Sequence, residues 1–64
     1  MSLTLREWRR AKEISQQTMA DKIGVHVNTY MKMEKRPNKI AIEDAVKIST
    51  ILAVPMDQIN FNLP

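Results

Sequence analysis

The chain has 64 residues with no cysteine, one glycine and three prolines, and ten Lys and Arg against seven Asp and Glu give it a net charge of +3. That length holds one domain, residues 1–64, with a modest core, and without cysteine neither disulfides nor thiolate metal sites can brace it. No apolar run approaches the roughly 18 residues that span a bilayer, and the start does not read as a secretory signal, so no membrane association is expected and a reducing cytoplasm fits.

Taken in chain order, the pattern is helical. Thr4 and Glu7 form the T-x-x-E capping box, which starts a first helix near Leu5, and Leu3 and Trp8 flank it at the positions of a hydrophobic staple. Leu5 and Trp8 face inward, while Arg6, Glu7, Arg10 and Glu13 look outward. Ser15 is a good N-cap for a second helix over 16–23, whose buried side carries Met19, Ala20 and Ile23. Gly24 ends it where a left-handed residue costs least. A third helix over about 27–35 buries Tyr30 and Met33, and Pro37 closes it, because the residue before a proline is pushed out of helical geometry. Lys32, Lys35, Arg36 and Lys39 crowd this stretch with Glu34 as the one acid among them. The fourth helix covers roughly 42–53, with Ile42, Ala45, Ile48 and Leu52 on one stripe and Glu43 and Asp44 well placed in its first turn. Pro55 begins a last short turn through Asp57 and Ile59. The tail from Asn60 to Pro64 alternates, which suits either a strand or a frayed end. The expected fold is all-α, a compact bundle of about five short helices.

The segment Gln16–Glu34 is two short helices joined at a glycine, with small Ala20 where they cross. With Leu5, Trp8, Arg9, Ile14, Val25, Ile42, Ile48, Leu52 and Val54 around it, the chain resembles the helix-turn-helix domain of the phage repressor and Cro family, the XRE-type regulators. The resemblance runs from about Leu5 to Ile59 and implies a lambda-repressor-like DNA-binding domain from a phage or bacterium. It also implies a structural salt bridge between Arg9 on the first helix and Glu34 at the end of the third. The chain departs from the family pattern at three positions. Arg36 stands where Gly is usual, His26 where Ser or Thr caps the third helix, and Ala41 where a Ser is common before the fourth. The path of residues 35–41 therefore cannot be copied from the family.

The resemblance places the third helix in the major groove, its N-terminal residues against base edges. Val27, Asn28, Met31 and Lys32 are then the base contacts. Asn28 suits a bidentate pair with adenine, Lys32 suits guanine O6 and N7, and Val27 or Met31 suits a thymine methyl. Gln16 and Gln17, at the start of the second helix, and Lys35, Arg36, Asn38 and Lys39 are the expected phosphate contacts. One such domain covers a half-site, so the partner is double-stranded DNA with a two-fold operator, read by a homodimer. The apolar residues Ile51, Ile59, Phe61 and Leu63 mark residues 51–64 as the dimerisation end. His26 has no second ligand at metal spacing, and Ser15 has no orienting acid, so no metal, cofactor or catalysis is expected. The function read from the chain is a sequence-specific regulator, most simply a repressor. The alternative is a protein-interaction module on the same scaffold, such as an antitoxin, with a protein partner of unknown identity.

Overall fold

A computed structural model describes residues 2–62. The chain opens with a short strand β1 (Leu3–Thr4) and runs through α1 (Leu5–Ala11), α2 (Gln16–Ile23), α3 (Val27–Lys35) and α4 (Ile42–Leu52) to β2 (Ile59–Asn60). Single 3-10 turns at Pro37–Lys39 and Met56–Gln58 complete it. Thus four α-helices stand where about five helices are expected, the remainder being one-turn segments among the described residues.

Caps set most of the helix boundaries. Thr4 Oγ1 accepts the Glu7 N–H at 3.2 Å, and Glu7 Oε1 accepts the Thr4 N–H at 2.9 Å, so both halves of the capping box are made. Ser15 Oγ accepts the Thr18 N–H at 3.0 Å and starts α2. Gly24 ends α2 at φ 92°, its N–H donating to Ala20 O at 2.8 Å. A β-carbon there would meet nothing within 4 Å, so backbone conformation alone calls for glycine. His26 does cap α3, with its Nδ1 accepting the Asn28 N–H at 3.1 Å. This requires the neutral ring with its proton on Nε2. At Ala41 no side chain caps α4, and Ala53 closes that helix in the left-handed region at φ 57°.

Both ends of the described chain meet in a feature absent from the all-α expectation. β1 and β2 pair in parallel, with Leu3 opposite Ile59 and Thr4 opposite Asn60. Of the tail only Asn60 lies in the strand, and Phe61 and Asn62 follow it outside β2. Trp8 adds a second tie, its indole N–H donating to Gln58 O at 2.8 Å. Below these ties lies the core of Leu5, Met19, Ala20, Ile23, Tyr30, Ile48, Leu52, Val54 and Ile59, with Trp8 and Met33 partly buried against it. Ala20 is fully buried, and α2 packs against both α3 and α4, which is why a larger residue has no room there.

Two expectations fail on burial. Ile42 is 77% exposed and lies outside the α4 stripe, which is covered only from Ala45 onward. Ile59, expected on a dimer surface, is buried in the chain's own core at 5% exposure, and Ile51 and Phe61 pack partly against that core. The apolar character of Ile59 therefore belongs to the monomer, while Ile51 and Phe61 keep part of their surface open. Leu63 lies outside the described residues.

Candidate nucleic-acid interface

The interface is organised on Glu34, at the last turn of α3. Its Oε2 accepts from Arg9 Nε at 2.5 Å and from the Tyr30 hydroxyl at 2.6 Å, and its Oε1 accepts from Gln16 Nε2 at 3.0 Å. Arg9 also donates to Ile14 O at 2.9 Å. One carboxylate thereby gathers donors from α1, α2 and α3, and the ion pair is largely sequestered, with side chains 12% and 4% exposed. Burial alone would raise the Glu34 pKa, but hydrogen bonds from Arg9, Tyr30 and Gln16 and the Arg9 charge outweigh it and hold the carboxyl below its ordinary value. Burial and the bond to Glu34 push the Tyr30 hydroxyl far up, so it stays a donor. For Arg9, burial opposes the charge, and the Glu34 hydrogen bond and charge restore it.

This hub seats α3 so that Asn28, Thr29, Met31, Lys32 and Lys35 are exposed, while Tyr30 is buried beneath them. Val27 is half-buried against the core, which turns it away from the outward set in which it was expected. Thr29 was not singled out in the sequence, although it lies between Asn28 and Lys32 on the same outer surface. Gln17 is exposed with its amide donating to Asp21 Oδ1 at 2.8 Å, and Gln16 is half-buried with its amide on Glu34. Arg36, Asn38 and Lys39 are exposed around the 3-10 turn, anchored by buried Pro37. That turn is the conformation the family pattern left open.

A groove lies on either side of α3. An open one of about 920 Å³ separates α3 from α1 and holds Arg6, Arg10, Gln16, Met31 and Lys35 around the Arg9–Glu34 pair. A smaller one of about 230 Å³ lies between α3 and the 3-10 turn, lined by Thr29, Lys32, Met33, Arg36, Lys39 and Ile40. The second groove contains the basic loop legible in the sequence. The first adds Arg6 and Arg10, whose spacing of four residues was visible but read only as an outward helical face.

A capped helix, a left-handed glycine turn and a second helix that buries one face and exposes a polar one define a helix-turn-helix DNA-binding regulator. A helix-turn-helix family model matches residues 5–59, and the chain belongs to that family, of the Cro/C1-like XRE type. A search of curated proteins and of solved structures returns no match. Among the described residues no helix is long and apolar enough to cross a membrane.

Proposed function

We propose that the protein is a sequence-specific repressor that lays α3 in the major groove of its operator, acting in the cytoplasm. The observation that carries this reading is the exposed polar face of α3, set between two cationic grooves. Asn28 pairs with adenine and Lys32 with guanine, Met31 and Thr29 meet thymine methyls, and Val27 contributes only at the edge. Lys35, Arg36, Asn38 and Lys39 grip phosphates, with Gln16 and Gln17 at the start of α2. Lys32→Ala should cost about 1–3 kcal/mol on the cognate site and relax selectivity at one base pair, read by competition binding against single-base variants of a selected site. Equal weakening on every sequence would make Lys32 a phosphate contact and refute its assignment.

A homodimer on two half-sites about 34 Å apart completes this reading. With Ile59 taken into the core, the two most exposed large apolar side chains are Ile42 and, one turn further along α4, Val46 at 49%, and we take these as the surface for self-association. Sedimentation should show Ile42→Glu shifting the protein toward monomer. A parent that is monomeric at millimolar concentration, with and without operator, would sink the dimer.

The same exposed pair on α4 favours the second reading, an interaction module such as an antitoxin. Salt separates the two. A regulator that neutralises several phosphates loses affinity for random duplex DNA steeply as salt rises, whereas an interaction module shows almost no such binding.

A further inference from the structure

We propose that α1 is itself part of the DNA interface, with Arg6 and Arg10, facing Lys35 across the larger groove, seating the sugar-phosphate strand on the side of α3 opposite the 3-10 turn. This rests on the DNA-binding reading above and extends it to a helix outside the helix-turn-helix unit.

Arg6 and Arg10 are exposed, one turn apart on α1, and both line the groove. The groove's two carboxylates are already engaged. Glu34 accepts from Arg9, Tyr30 and Gln16, and Glu7 accepts the Thr4 N–H. Among the described residues the one salt bridge is Arg9–Glu34, so Arg6, Arg10 and Lys35 have no ion-pair partner within the fold. Gln16, the first residue of α2, opens onto the same groove. A strand held at the start of α2 therefore continues past Arg6 and Arg10.

The arrangement about α3 supplies the second argument. The major groove is about 12 Å wide and bounded by a phosphate rail on each side, so a helix lying in it needs cations along both flanks. Arg36 and Lys39 line one flank. Arg6, Arg10 and Lys35 line the other. The polar side chains that read bases sit on the ridge between them.

The test is binding of the full chain to random-sequence duplex DNA, followed by fluorescence anisotropy from 50 to 200 mM salt. Parent, Arg6→Gln, Arg10→Gln, the double variant and Lys47→Gln are compared, with far-UV circular dichroism to confirm the fold. Lys47 is exposed on α4, away from both grooves, and reports the loss of one charge alone. Each arginine variant should lower the slope of log affinity against log salt by about 0.9, which is about an eightfold loss at 100 mM referred to 1 M. The double variant should lose about twice that slope, Lys47→Gln should match the parent, and Arg6→Lys should recover most of the loss. If the parent binds with a steep slope and the arginine variants behave like Lys47→Gln, α1 lies off the DNA and the inference is overturned, while the reading of α3 stands. A parent with no salt-dependent binding overturns both.

Discussion

Glu34→Gln tests whether one carboxylate holds the three helices of the binding unit together. The substitution keeps shape but exchanges an acceptor oxygen for a donor. Arg9 Nε and the Tyr30 hydroxyl converge on Oε2, while the Gln16 amide donates to Oε1. Whichever way the new amide turns, its NH2 meets at least one of these donors, and the Arg9 guanidinium is left without a counterion. Breaking a buried pair by removing one partner costs about 3–5 kcal/mol. Because the Arg9 side chain keeps 12% exposure, the lower end, about 3 kcal/mol, is the expectation. A domain of this size holds only roughly 3–10 kcal/mol in total. At about 4–8 °C per kcal/mol, the melting temperature should fall by about 12–24 °C, followed by circular dichroism at pH 7. A fall of less than about 4 °C would mean that the hub adds under about 1 kcal/mol and would refute the argument. Acid gives an independent check. Although burial raises the Glu34 pKa, its hydrogen bonds bring it below the ordinary 4.5, so the unfolded chain takes up the proton first. The stabilisation is complete above about pH 4.5 and is lost as pH falls through the lower folded value. Glu34→Gln should flatten that loss. The residue of it belongs to Glu7, whose pKa is lowered by its hydrogen bonds with Thr4.

Two further substitutions test the frame. Ala53 holds the left-handed conformation at φ 57° on an exposed helix end. Its strain of about 1–2 kcal/mol is relieved by Ala53→Gly, against about 0.4–1 kcal/mol of added unfolded-state entropy. The melting temperature should therefore rise by about 3–6 °C, and a fall would show that the cap is not strained. Trp8→Phe removes the bond to Gln58 O, worth about 0.5–1.5 kcal/mol, and should speed amide exchange at Asn60 and its neighbours before that of α2 and α3. Equal acceleration throughout would mean that this bond has no local role.

The helices were legible because their ends carry their own chemistry. Thr4 with Glu7, Ser15 and Gly24 each answer an orphan backbone group or a positive φ within a few residues, so the segment states the boundary. The β1–β2 pair has no such signal. Two residues show no period, and Leu3 becomes a strand only through Ile59 at the far end of the chain. The same long-range tie misled the reading of the tail. Ile59 is as apolar as an interface residue, and only the ribbon and the Trp8 bond to Gln58 show that the chain folds back and buries it. Ile42 failed in the opposite direction. Periodicity put it on the α4 stripe, but periodicity does not say how far along a helix its neighbours reach. On the candidate site, the outward placement of Asn28 and Lys32 followed from Tyr30 being buried between them. The α1 flank did not, because Arg6 and Arg10 acquire meaning only beside Lys35 on another helix.

Gln16 joins the stability of the fold to the proposed contact with DNA. Sequence reasoning assigned its amide to a phosphate, and its nitrogen is found donating to Glu34 Oε1 at 3.0 Å. These roles do not compete, because a side-chain amide has two hydrogens and Glu34 takes one. The bond to Glu34 fixes the plane of the amide, and so the direction in which its second hydrogen points. A free glutamine at a helix start would lose side-chain entropy on meeting a phosphate, and one already held by Glu34 has lost much of it during folding. The Arg9–Glu34 pair is poorly explained by stability alone, since desolvation cancels much of what a buried ion pair gains. Its placement is explained if the carboxylate orients Gln16 at the start of α2 and fixes the last turn of α3 in the same act. A hydrophobic replacement for the pair could match its stability but would leave the glutamine unoriented.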